Sequence, residues 1–169
     1  MKRLVLVAVA LLFTASTAFA AGGVAYIDLQ KALNLSEAGV AAKNEISEQV
    51  KKYEAIVKEK QETLMARKQD IEKQAVLLSD DAKAEKARDY QQKVKELERF
   101  TKDIQEELQQ KDADFTKQIL SEIFKVIDVI GKEGDYDVIL EKTESSLLYA
   151  DERIDLTQKV IDAYNAKKK

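Results

Sequence analysis

Proline is absent from all 169 residues, where a usage of roughly 5% would place about eight. Between Ser36 and Ile130 a single glycine, Gly39, interrupts a run in which charged and apolar side chains recur at helical spacing. A stretch of that length with almost no helix breaker is committed to long helices. Val50, Val57, Leu64, Ile71 and Leu78 fall at every seventh position, and three residues after the first four stand Tyr53, Lys60, Arg67 and Gln74. One seam position therefore stays apolar while the other turns polar. A sustained coiled coil wants both apolar, so the pattern predicts tight packing near Val50 and loose packing toward Leu78. An ordinary antiparallel coiled coil with a few polar defects fits the same pattern.

Ser79-Asp80-Asp81 breaks the repeat, with Ser79 or Asp80 suited to cap a new helix whose positive end the acidic side chains favour. Two helices joined by so short a turn lie antiparallel. The second follows Tyr90, Val94, Leu97, Phe100, Ile104, Leu108 and Phe115, then turns strongly apolar through Ile119, Ile123, Ile127 and Ile130. At 1.5 Å per residue the two helices are expected to be on the order of 60 and 75 Å long.

The flanks read differently. Val24–Leu29 has the β-branched and aromatic content of a strand, apolar on both faces. Ser36 is placed to cap the first long helix, with Leu35 closing onto Val40 as a staple. After Gly131 and Gly134, Tyr136–Glu141 reads as a second strand and Ser146–Ala150 as a third, with a turn at 143–145. Asp155-Leu156-Thr157-Gln158 has capping-box spacing and opens a short helix carrying Val160, Ile161 and Tyr164, followed by the solvated tail Lys167-Lys168-Lys169. Strands so far apart in the chain can meet only at the base of the hairpin. The fold class is α+β, mainly helical: a long hairpin arm over residues 36–130, its tip near 79–81, on a small β-rich body from 21–35 and 131–169.

Charged side chains form 35% of the chain and aromatic ones 7%, too little apolar bulk for a compact monomer. A small sheet also leaves edges that another copy can pair. The expected assembly is a homo-oligomer joined through Val24, Tyr26, Ile27, Ile139, Leu140, Leu147, Leu148 and Tyr149. The chain has no cysteine and no histidine, which removes thiol nucleophiles, the usual zinc ligands and the commonest general base. Five scattered glycines make no phosphate-binding loop. The sequence therefore points away from an enzyme and from any metal or cofactor.

Met1-Lys2-Arg3, the uncharged run Leu4–Ala21 and the close Ala18-Phe19-Ala20 have the three parts of a secretory leader, residues 1–20, cleaved near Ala20. An uncleaved membrane anchor is the alternative. Without Lys2 and Arg3, 26 basic side chains face 31 acidic ones. Such a balance does not favour nucleic acid as a partner.

The strand Val24-Ala25-Tyr26-Ile27-Asp28, the tip Leu77-Leu78-Ser79-Asp80-Asp81 and the long second helix resemble the Skp/OmpH family of periplasmic chaperones. The most specific matches are Gly134-Asp135-Tyr136-Asp137-Val138-Ile139-Leu140-Glu141, Leu148-Tyr149-Ala150-Asp151 and Ile154-Asp155-Leu156-Thr157. The resemblance spans essentially the whole chain after the leader. It implies a trimer whose three arms surround a cavity, and an ATP-independent periplasmic holdase for unfolded outer membrane proteins. Candidate client-contact residues are then Val57, Leu64, Met65, Ile71, Leu78, Tyr90, Val94 and Leu97. In one respect the chain departs from the family, whose arm tips are basic. Residues 58–90 carry eight basic and eight acidic side chains, which weighs against contact with lipopolysaccharide or an anionic membrane and implies client binding of modest salt sensitivity. A structural coiled-coil adaptor of the envelope, docking one specific partner, is the competing reading.

Overall fold

The computed structural model describes residues 23–167; the leader, its cleavage near Ala20 and the last two lysines lie outside the described residues. The chain runs β1 (Gly23–Ile27), α1 (Leu29–Leu35), α2 (Glu37–Gln74), α3 (Asp80–Glu133), β2 (Tyr136–Glu141), a 3-10 turn (Glu152–Ile154) and α4 (Thr157–Lys167). At 1.5 Å per residue the 38 residues of α2 and the 54 of α3 reach about 57 and 81 Å. The hairpin is the longest feature of the molecule, and everything else packs against one end of it.

β1 and β2 form a two-stranded parallel sheet, with Val24 opposite Val138, Ala25 opposite Ile139 and Tyr26 opposite Leu140. Parallel strands need a long crossover, and here the whole hairpin supplies it. The core lies at the base, where Ile27 of β1, Ile123 and Ile130 of α3, and Val160 and Tyr164 of α4 close on one another. Ala25 and Ala32, both fully buried, let β1 and α1 approach the rest.

Two expected elements differ. The first strand ends at Ile27, because the Asp28 carboxylate accepts from the Lys31 amide at 2.7 Å and caps a helix that takes Leu29 with it. No third strand forms over 146–150. Glu141 ties down the turn after β2, its carboxylate accepting from the Glu144 amide and its carbonyl from the Ser145 hydroxyl, and Ser146 sits at φ 50°. The far side of β1 is occupied instead by the segment before α4, whose Leu156 amide donates to the Tyr26 carbonyl at 2.9 Å.

Ser36 caps α2 as the sequence predicts, accepting from the Gly39 amide at 3.1 Å while its hydroxyl donates to the Leu33 carbonyl at 3.0 Å. It thus ends α1 and starts α2 with one fully buried side chain. The expected Leu35–Val40 staple buries neither residue; both remain about half exposed. Asp155 does not form a full capping box. It accepts from the Thr157 amide at 2.8 Å, while Gln158 turns forward to Asp162.

Asp155 is also an acid-sensitive tie. Burial pushes its carboxyl up, but hydrogen bonds from Thr157 and the Tyr26 hydroxyl, aided by Lys31, outweigh that and hold it below its ordinary value of 3.8. A lowered carboxylate contributes stability that is complete above the unfolded value and is lost as pH falls through the folded one. Unfolding free energy followed by denaturant titration from about pH 6 to pH 2 should therefore drop more steeply below about pH 4 in the wild type than in Asp155→Asn. Parallel curves would remove Asp155 from the acid limb.

Candidate client-binding arm

The arm changes character along its length because its seam does. Near the base, Ile104 is buried, and Lys111 of α3 reaches Glu45 of α2 at 2.7 Å while lying 5.7 Å from the Phe115 ring centre. Farther out the Tyr53 and Phe100 rings meet edge to face at 6.4 Å, and the Tyr53 hydroxyl donates to Glu107 at 2.8 Å. That bond raises the Tyr53 phenol above its ordinary value. Lys60 then places its ammonium 5.2 Å from the Phe100 ring centre, and Arg67 pairs across the hairpin with Asp89. Lys60 and Arg67 occupy the seam position that Tyr53 fills nearer the base, as the heptad pattern indicates.

Flexible cationic side chains cannot interdigitate as branched apolar ones do; hollows border the hairpin here and also nearer the base, where one of about 370 Å³ is lined by Val50, Tyr53, Val57, Ile104 and Leu108. One hollow of about 340 Å³ is lined by Leu64 and Leu97, with Lys60, Arg67 and Lys93 set among Glu59 and Glu96. A second, of about 520 Å³, shares Thr63 and Arg67 with the first and adds Ile71, Lys86, Asp70 and Asp89. The two adjoin at Thr63 and Arg67 and together border α2 from Glu59 to Gln74 as a trough. Glu96 is held below its ordinary value by hydrogen bonds from Lys93 and Gln92.

Of the candidate contact residues, Val57, Leu64, Ile71, Leu78, Tyr90, Val94 and Leu97 are half-buried, at the spacing of the seam, and Met65 is 64% exposed. Leu64, Ile71 and Leu97 line the trough; Val57 lines a separate hollow nearer the base. The most exposed apolar residues of the arm escaped the heptad count. Val76 and Leu77 are 90% and 88% exposed in the turn. The run Ala75-Val76-Leu77-Leu78 carried the signal, since four consecutive apolar residues entering a turn cannot all face one seam.

In the body, Tyr26 and Ile27 are buried in the protomer's own core, whereas Val24, Leu148 and Tyr149 are exposed and Ile139, Leu140 and Leu147 half-buried. Val138 beside Val24, and Phe124 on α3, add exposed apolar surface at this end. Among the described residues no helix is long and apolar enough to cross a membrane, and no group of three or more acidic side chains is placed to hold a metal ion.

Architecture and arm define a helical-hairpin protein, one long arm raised on a small body with a parallel two-stranded sheet. The chain belongs to the OmpH-like family: residues 23–164 match the model for outer membrane protein (OmpH-like). It is 29% identical over 137 residues to an uncharacterized protein of Aquifex aeolicus (strain VF5), covering 81% of this chain and 82% of that one. Its fold matches the crystal structure of an OmpH-like protein from Caulobacter crescentus CB15 with a TM-score of 0.81, at 18% identity over 86% of this chain and 85% of that one.

Proposed function

We infer that this protein is a non-enzymatic periplasmic holdase that keeps unfolded outer membrane proteins from aggregating, without ATP, as a trimer with its arms around the client. The observation that carries the reading is the arm itself: a charged hairpin tens of ångströms long whose apolar side chains are half-buried or, at Met65, Val76 and Leu77, openly exposed. A partner gripped by many weak contacts, summed over several arms, is held strongly without any specific pocket. The OmpH-like protein from Caulobacter crescentus, itself proposed to be an outer membrane chaperone, has the same fold, which supports the same reading. Exposed Val24, Val138, Leu148 and Tyr149 give the body apolar surface available for assembly.

The test is to dilute several unrelated unfolded β-barrel proteins into buffer with the mature protein and follow light scattering. A holdase suppresses aggregation of all of them at near-stoichiometric ratios; an adaptor for one specific partner protects none. Replacing Leu64, Met65 and Ile71 by Ser should weaken holding several-fold and leave the oligomer mass unchanged. Dissolution of the oligomer by these changes would make the distal seam a structural element of assembly.

A further inference from the structure

The trough between α2 and α3 combines apolar side chains with charges of both signs. Its floor is Leu64, Ile71 and Leu97, and its rims carry four cationic and four acidic side chains. Two of the acids are already engaged, Glu96 with Lys93 at 2.8 Å and Asp89 with Arg67. An anionic ligand gains nothing from rims whose charges balance, and a cationic one gains nothing either. A polypeptide backbone is neutral overall but presents N–H donors and C=O acceptors along its length, and rims of both signs meet both. The floor supplies apolar contact at intervals, independent of the occupant's charge.

The geometry points to a second mode of client contact, resting on the holdase reading: each arm holds one extended segment of the unfolded chain in the trough between its own two helices. This is distinct from enclosure between arms. From Glu59 to Gln74 the trough runs about 22 Å along α2, the length of about seven residues in extended conformation. Its occupant is a short strand-like segment with apolar side chains alternating with polar ones, one row on the floor and the other facing water. Transmembrane β-strands carry that alternation over about ten residues.

Thr63 and Gln69 provide the test. Thr63 lines both hollows, whereas exposed Gln69 lines neither and, six residues on, points about 120° away around the helix. A photoreactive side chain introduced at each position, in the full-length mature protein mixed with a urea-unfolded β-barrel protein, should capture client about fivefold more from position 63 than from 69. In parallel, Ala66→Trp, which fills the second hollow, should weaken suppression of aggregation by a similar factor, and Gln69→Trp should leave it unchanged. Equal or greater capture from position 69, or no capture from either while aggregation is still suppressed, overturns the trough and leaves the holdase standing. Failure of the unmodified protein to suppress aggregation overturns the reading beneath both.

Discussion

Replacing Gly39 by alanine is expected to lower the unfolding free energy by about 3 kcal/mol or more, the upper range of overpacking. In an open helix the same change stabilises by about 1 kcal/mol. The sign reverses here because a Cβ at Gly39 would stand 1.8 Å from the Leu33 carbonyl oxygen and 2.9 Å from its carbon. Both atoms are backbone at the end of α1, so no side-chain rotation relieves the clash. The approach is fixed by Ser36, which bonds both Leu33 and Gly39, and by the Glu37 amide, which donates to Asn165 of α4 at 2.9 Å. Gly131→Ala is the control. Its methyl group would meet only Ile139 Cδ1 at 3.5 Å, an ordinary contact, so that variant should match or slightly exceed the wild type. Denaturant titrations at equal protomer concentration compare the two. Equal stability of Gly39→Ala and wild type would show that α1 does not turn so tightly onto α2 in solution.

The same junction shows where sequence and structure part. The hairpin was legible because its determinants are local: helical periodicity, missing proline, and Ser79, which accepts from the Ala82 amide at the turn. The change from an aromatic to cationic residues along one seam position was legible for the same reason, since Lys60 and Arg67 stand at fixed heptad intervals from Tyr53. Helix α1 was not. Leu29-Gln30-Lys31-Ala32-Leu33 follows the strand with no glycine or proline to mark a boundary, and the decision to end the strand rests with Asp28, whose cap competes with one more rung of sheet. Ser146–Ala150 failed in the opposite direction. It has strand-like composition, but the bonds from Glu141 to Glu144 and Ser145 hold the chain in a turn and Ser146 sits at φ 50°, outside the extended region. Whether a residue is apolar enough for a strand is written in the residue; whether the chain reaches it extended beside a partner is not. The trough was half legible. Leu64, Ile71 and Leu97 came from the apolar spacing of the two helices, but that they border open space depends on how the two helices pack, which no local pattern gives.

Tyr164→Ala should bring the other large loss, about 3–5 kcal/mol on the scale of aromatic truncations in cores. Tyr164 is 2% exposed and belongs to the cluster that contains Ile123 and Val160, and its hydroxyl donates to Glu122 at 2.7 Å. Helix α4 has 11 residues, too few to persist without packing, and Tyr164 is its largest fully buried side chain. Its removal therefore loosens everything α4 carries, including the Asn165 bond to Glu37 and the Thr157 hydroxyl that accepts from the Asp28 amide at 3.0 Å. Tyr164→Phe keeps the ring and should lose only about 1 kcal/mol. Hydrogen exchange locates the effect: α4 amides should lose protection in Tyr164→Ala well before those of the α2–α3 hairpin. If α4 stays protected and the loss is under about 1 kcal/mol, α4 is not what closes the body. The contrast with the arm is physical. Val160 and Ile123 are each 1% exposed, so the body is a filled core in which a deleted ring leaves a void. The distal arm has no comparable filling, and a change there alters what the arm can hold before it alters whether the chain is folded.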